Sequence, residues 1–197
     1  MKYTPQIEKA IQISAEAHRK QFRKGKPNLP YVSHPYSVFV ILSEYTDNED
    51  ILIAGLLHDV LEDADPSEYT ETSLREIFGD QVVNIIREVS ESKDGSLTDI
   101  DAKANWETRK IAYLKHMETV SKEALMVSVA DKIHNLTCAL DDHKNEGDLM
   151  WQKFNSSKEK QLWFYKEFNN AVQDRGATDL TSRLNILTLG FEKIVTL

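Results

Sequence analysis

Residues 51–63 read Ile-Leu-Ile-Ala-Gly-Leu-Leu-His-Asp-Val-Leu-Glu-Asp, an uncharged run that meets four titratable side chains, His58, Asp59, Glu62 and Asp63. An apolar run this continuous leaves a helix no solvent face, so the segment belongs in a domain interior. Its polar end then lies at or near that interior. A carboxylate there is costly unless it is paired or binds a metal, and would otherwise take up a proton.

Spacing sharpens the point. Glu62 follows His58 by four residues and Asp59 by three, and Asp63 follows Asp59 by four. Side chains so separated share a helix face. One turn offers an imidazole beside a carboxylate, which suits a metal; the next offers two carboxylates, which suit water or proton handling. His58-Asp59 alone is equally a helix end whose acids meet solvent, so the rest of the chain must decide.

Two further places carry matching chemistry. In Leu29-Pro30-Tyr31-Val32-Ser33-His34-Pro35 an extended stretch feeds a helix, with Pro35 in its first turn and His34 at its start. In Ala130-Asp131-Lys132-Ile133-His134-Asn135-Leu136 a second apolar run ends on a carboxylate, and Asp131 and Asn135 share a face. Together these stretches supply two imidazoles and two carboxylates, a donor set that suits Mn²⁺, Fe²⁺ or Zn²⁺ better than a thiolate or all-oxygen site would.

The elements that must position these groups read as helices. Thr4-Pro5 opens an amphipathic helix through Ile7, Ala10, Ile11 and Ser14, with Thr4 as cap. It runs into Arg19-Lys20-Gln21-Phe22-Arg23-Lys24-Gly25-Lys26-Pro27, which is either a solvated helix C-terminus or a phosphate or base contact. Val38, Phe39, Ile41 and Leu42 form the inner face of the helix after His34. Asp47-Asn48 caps the central helix. Thr72 to Phe78 and Gln81 to Val89 read as two helices parted by Gly79-Asp80, and Ser90 to Ala104 as a surface loop. Trp106, Ile111, Leu114 and Met117 restore helical spacing, and Ser121 caps the helix that carries Asp131. The aromatics Trp151, Phe154, Trp163, Phe164, Tyr165 and Phe168 read as core. A last helix spans about Leu180 to Val195.

Length and composition set outer limits. The 197 residues suit one core, and 7 Gly with 5 Pro favour helices over a β-sandwich. The net charge of −8 argues against sequence-independent nucleic-acid binding, although a polyanion could still dock through a local cation cluster or a metal. Cys138 is the only cysteine, which excludes an intramolecular disulfide. Residues 1–5 lack the apolar core of a signal peptide, and no stretch approaches the ~18 apolar residues of a membrane span. The expectation is a cytoplasmic protein.

His34, His58-Asp59 and Asp131 resemble the H…HD…D signature of the HD-domain metal phosphohydrolases. Within that superfamily, Arg23-Lys24, Tyr31-Val32-Ser33-His34-Pro35, Leu57-His58-Asp59-Val60-Leu61-Glu62-Asp63 and Ala130-Asp131-Lys132-Ile133-His134-Asn135 resemble successive motifs of the RelA/SpoT-type alarmone hydrolases, over about Ala10 to Asn135. The chain lacks room for a synthetase domain and so resembles the single-domain small alarmone hydrolases. The resemblance implies an all-α HD-domain helical bundle, one domain over 1–197, with motifs in about 10–140 and helices in 147–197 completing the core. It implies His34, His58, Asp59 and Asp131 as ligands of one Mn²⁺, with Zn²⁺ or Fe²⁺ as alternatives. Glu62 and Asp63 match the acidic pair that handles the attacking water. Arg23, Lys24 and Asn135 match nucleotide contacts. The implied reaction converts guanosine 3′,5′-bis(diphosphate), or its adenosine analogue, to the 5′-nucleotide and pyrophosphate.

Two departures bear on the substrate. Thr137 stands where the family usually has Arg, and Glu91-Ser92-Lys93-Asp94 replaces a common Asp-Asp-Lys run. Other readings are a different HD nucleotide phosphohydrolase, such as a nucleotidase or NADPH phosphatase, or a non-catalytic nucleotide-binding module. His18, His116, His134 and His143 have no matched pattern, and His134 is read as packing or orienting its neighbours.

Overall fold

The computed structural model describes residues 1–26, 28–90, 105–175 and 178–196. The expected loop over 91–104, with its departure at Glu91-Ser92-Lys93-Asp94, lies outside the described residues, as does Pro27 in the basic run. The fold is all-α. Its helices are α1 (Pro5–Ala17), α2 (Ser33–Ser43), α3 (Glu49–Leu57), α4 (Val60–Asp63), α5 (Glu71–Val89), α6 (Trp106–Met117), α7 (Lys122–Glu146), α8 (Lys158–Asp174) and α9 (Asp179–Thr196), with a 3₁₀ segment at Gly147–Lys153. The chain divides into two compact units, residues 1–90 with 120–131, and residues 91–119 with 132–197.

The first unit is arranged about α3. Asn48 caps it by accepting the Asp50 N–H at 3.0 Å, and Ile51 to Leu57 are all buried, as the unbroken apolar run requires. Helices α1, α2 and α5 pack on it. Gly55 permits the close approach of α2: a Cβ there would lie 2.5 Å from Leu42 Cδ1. Thr4 caps α1 by accepting the Ile7 N–H at 3.2 Å, with Pro5 in the first turn. Burial of Val38, Ile41 and Leu42 matches the expected inner face of α2, although Phe39 is only half-buried.

The basic run is not a helix C-terminus. Helix α1 stops at Ala17: His18 leaves helical dihedrals at φ −99° and ψ 13°, and the Arg19 and Gln21 N–H groups turn to the carbonyls three residues back, those of Glu16 and His18. The chain then reverses about Gly25, at φ 74°, in an irregular hairpin. Arg23 N–H donates to Leu29 O and Tyr31 N–H to Gln21 O, each at 2.9 Å, on either side of an isolated bridge between Phe22 and Pro30.

Helix α5 starts with a capping box between Thr70 and Ser73 and bends at Gly79, where φ 82° and ψ 175° are non-helical. This break lies where two helices parted by Gly79-Asp80 were expected. Ser121 accepts the Ala124 N–H at 3.1 Å and so starts α7, whose residues to Asp131 belong to this unit.

In the second unit α8 packs on α6 and on α9. Trp106, Tyr113 and Met117 turn inward from α6, while Ile111 stays 53% exposed. Phe164, Tyr165 and Phe168 are buried core, as expected, with Tyr113 stacked on Phe168 at 6.3 Å. Arg175 donates to the Met117 carbonyl at 2.8 Å and ties the C-terminus of α8 to that of α6. Among the described residues no helix is long and apolar enough to cross a membrane.

The backbone at Gly79 lies in a region that is essentially reserved for glycine, and holding another residue there costs about 1–3 kcal/mol. Gly79→Ala is therefore expected to lower stability by that order in chemical denaturation, although a Cβ at this position would meet no atom within 4 Å.

Candidate metal centre

The first unit brings His34 together with the adjacent pair His58-Asp59, far from it in sequence. Asp59 Oδ2 lies 3.3 Å from His58 Nε2 and 3.6 Å from His34 Nε2, and the imidazole centroids are 5.2 Å apart. One donor atom from each residue falls within 4.8 Å of the other two, a grouping able to hold a metal ion. Asp131 joins through His34, with its Oδ1 3.1 Å from His34 Nε2. Both histidines are almost fully buried, at 2% and 3% exposure.

Local structure explains the aim of each group. Helix α3 ends at Leu57, and His58, one residue on, folds back so that its Nδ1 donates to the Gly55 carbonyl at 2.8 Å. A carbonyl only accepts, so Nδ1 carries a proton, and Nε2 is the nitrogen left to ligate a metal when the ring is neutral. This is how a ligating imidazole is usually oriented. The 58–59 turn separates α3 from α4, so the four acidic and imidazole groups do not lie on one continuous helix. The spacing argument survives the break, because Asp63 N–H still donates to Asp59 O at 2.9 Å.

Burial holds the His34 imidazole below its ordinary pKa; nearby Asp131 and Asp59 pull the other way without overcoming it. The ring is thus neutral near pH 7 and offers a lone pair. Two neutral imidazoles and two carboxylates fit a divalent borderline ion.

Of the proposed acids, Asp63 is half-buried and its carboxylate takes the Tyr31 hydroxyl at 3.5 Å, while Glu62, also half-buried, sits in the same short helix α4. Arg23 places its guanidinium 5.5 Å from the Tyr31 ring centroid, and Lys24 is exposed near the hairpin tip. Arg19, by contrast, forms a two-bonded pair with Glu68 at 3.0 and 3.1 Å. Asn135 lies one turn beyond Asp131 in α7 and belongs to the second unit. The exposed Thr137 turns its hydroxyl to Ile133 O at 2.8 Å and supplies no cation in place of the usual Arg.

Sequence reasoning passed over three residues here. Tyr31 donates its hydroxyl to Asp59 Oδ2 at 2.7 Å. Burial and the charges of Asp59 and Asp63 push its pKa well up, so it remains a donor. His18, read as having no partner pattern, is 1% exposed; its Nδ1 donates to Gln21 Oε1 at 2.7 Å, and Gln21 Nε2 donates to the Asp63 carbonyl at 2.5 Å. The available signal was a His and a Gln three apart directly ahead of the basic pair, and a Tyr three residues before His34.

The family model for the HD domain matches residues 10–155. The chain belongs to the HD domain family. This HD-domain chain is 36% identical over 135 residues to the guanosine-3′,5′-bis(diphosphate) 3′-pyrophosphohydrolase MESH1 of Xenopus tropicalis, covering 66% of this chain and 67% of that one. Against MESH1 of Danio rerio it is 37% identical over 129 residues, covering 64% of each. The matches thus span about two thirds of these relatives. The fold superposes with a TM-score of 0.74 and 26% identity, over 95% of this chain and 96% of the other, on a metazoan orthologue of SpoT that hydrolyses ppGpp. Membership of the HD family implies a divalent metal, and the His34, His58 and Asp59 cluster is the matching feature.

A histidine whose folded pKa lies below its unfolded value stabilises fully above that unfolded value, near 6.5, and loses the contribution as pH falls toward the folded one. The metal-free protein is expected to weaken below pH 6.5 by up to about 1.4 kcal/mol per pH unit for this one proton. In urea titrations across pH, His34→Gln should flatten that slope.

Proposed function

We propose that this chain is a metal-dependent 3′-pyrophosphohydrolase acting on guanosine 3′,5′-bis(diphosphate) or its adenosine analogue, with residues 1–197 working as one cytoplasmic hydrolase domain. The observation that carries the reading is the meeting of His34, His58 and Asp59, with Asp131 on His34, in a chain whose relatives bear that activity in their names. His34, His58, Asp59 and Asp131 would hold one Mn²⁺, with Zn²⁺ or Fe²⁺ as the alternatives for this donor set. When bound, such an ion lowers the pKa of a water and polarises a phosphoryl oxygen.

The chain's own groups do the rest. Glu62 or Asp63 takes the proton of the attacking water, and the oxygen of that water forms a new bond to the phosphorus attached to the 3′ oxygen. The bond between that phosphorus and the ribose 3′ oxygen breaks, and the 3′ oxygen leaves with a proton supplied from the same acidic pair. Pyrophosphate and the 5′-nucleotide result. Arg23 and Lys24 sit on a basic hairpin suited to nucleotide phosphates, and Arg23 is already ordered against Tyr31. Asn135 supplies a base or sugar contact.

Alanine in place of Asp59 is expected to abolish Mn²⁺ binding and pyrophosphate release together, seen by metal analysis and turnover of labelled ppGpp. Glu62→Gln and Asp63→Asn should keep the metal and lower kcat by about 10²- to 10⁴-fold. Across ppGpp, ppApp, dNMPs and NADPH, pyrophosphate release should come from the first two alone. Phosphate from NADPH or dNMPs would instead make the chain another kind of HD phosphohydrolase.

A further inference from the structure

One hydroxyl lies between the proposed metal ligand and the proposed acid. Tyr31 Oη is 2.7 Å from Asp59 Oδ2 and 3.5 Å from Asp63 Oδ2. The same Asp59 oxygen faces His58 Nε2 and His34 Nε2, so its other lone pair is directed at the donor cluster. A hydroxyl hydrogen bond to a carboxylate is charge-assisted and fixes the orientation of that carboxylate. The hydroxyl's one proton is directed chiefly at Asp59, and Asp63 Oδ2 stands at the limit of hydrogen-bond range from the same oxygen.

Tyr31 is itself held. Its ring packs on His18 at 4.9 Å and on His34 at 5.8 Å, and its backbone N–H is bound to Gln21 O. Gln21 closes the arrangement from the other side. Its amide accepts from buried His18 and donates to the Asp63 carbonyl, so the backbone of Asp63 is gripped while its carboxylate faces Tyr31. The hairpin from His18 to Tyr31 thus reaches Asp63 at two points and Asp59 at one.

We propose that Tyr31 is a positioning residue that couples the metal ligand Asp59 to the acid Asp63 through its hydroxyl, and that Gln21 positions Asp63 alone. The proposal rests on the metal and acid roles given under the proposed function. It separates two effects that a general packing role would not. Loss of the Tyr31 hydroxyl removes a contact from a ligand and an acid together, whereas loss of the Gln21 amide removes one from Asp63 and from the buried His18 ring and leaves the hydroxyl on Asp59.

The full chain would be stripped of metal and titrated with Mn²⁺ alone by calorimetry, and kcat and KM measured for pyrophosphate release from ppGpp. Tyr31→Phe keeps the ring and is expected to weaken Mn²⁺ binding by about 10- to 100-fold, the usual range for a residue that orients a ligand. It should also lower kcat about ten-fold or more with KM within two-fold, and leave the metal-free protein folded, its melting temperature lowered only by the loss of one hydrogen bond to a carboxylate. Gln21→Leu is expected to lower kcat while Mn²⁺ affinity stays within two-fold of wild type.

Wild-type Mn²⁺ affinity in Tyr31→Phe would overturn the coupling, as would an equal loss of affinity in both variants. A metal-free Tyr31→Phe protein that is largely unfolded at the assay temperature would explain the losses by packing alone and overturn it too. If the wild-type protein bound Mn²⁺ but released no pyrophosphate from ppGpp, the substrate reading would fail while the affinity comparison still decided the role of Tyr31.

Discussion

Two imidazoles and two carboxylates occupy a place from which most water is excluded, and the rest of the first unit follows from that fact. Water no longer solvates Asp59, so its charge must be met by hydrogen-bond donors or by a cation. The structure meets part of this demand with the Tyr31 hydroxyl and brings Nε2 of His58 and of His34 to 3.3 and 3.6 Å from the same oxygen. The Gly55 carbonyl is the anchor of the arrangement. It takes the Nδ1 proton of His58, which both sets the tautomer and points the other nitrogen inward. Only the last turn of a helix offers a carbonyl no longer needed for helical bonding, which is why the His-Asp pair stands at the end of α3 rather than in its middle.

That position accounts for what could be read from the sequence. The run from Ile51 to Leu57 could only be a buried helix, because every face of it is apolar, and all seven residues are buried. Capping at Thr4, Asn48 and Ser121 and the break at Gly79 follow from local chemistry that a sequence displays directly. The H…HD…D pattern announced the donor cluster for the same reason: ligand type and helix-end position are local properties.

What stayed hidden depends on contacts across the chain. The basic run looked like a charged helix end, since Arg and Lys are good helix formers and favour the last turn. Tertiary pairing decided otherwise. Tyr31 N–H finds Gln21 O and Arg19 finds Glu68 across 49 positions, and the segment becomes a hairpin. His18 looked ordinary because its partner, Gln21, matters only through the Asp63 carbonyl that Gln21 reaches, 42 positions away. Tyr31 was part of a quoted motif, yet a phenol ahead of a His-Pro pair has no evident role until Asp59 is seen beside it. Ile111 illustrates the converse, an apolar residue at helical spacing that nevertheless faces outward, because Tyr113 and Met117 take the buried side of α6.

Charge arithmetic at the centre narrows the kind of ion it suits. With both imidazoles neutral, the form in which each can ligate a metal, the cluster of His34, His58, Asp59 and Asp131 carries only the two carboxylate charges. One divalent cation cancels them; a monovalent ion leaves a buried negative charge, and a trivalent one a buried positive charge, each costly in a medium that screens poorly. Neutralising the ligands fully also leaves the ion little surplus charge with which to draw in an anionic nucleotide, and the whole chain, at −8, repels one. Local cations must therefore supply the attraction. The hairpin's Arg23 and Lys24 are the cations that the motif resemblance points to. The Arg23 guanidinium lies 5.5 Å from the Tyr31 ring centroid, within cation–π range. A single tyrosine thus touches an acidic and a basic side chain, Asp59 through its hydroxyl and Arg23 through its ring.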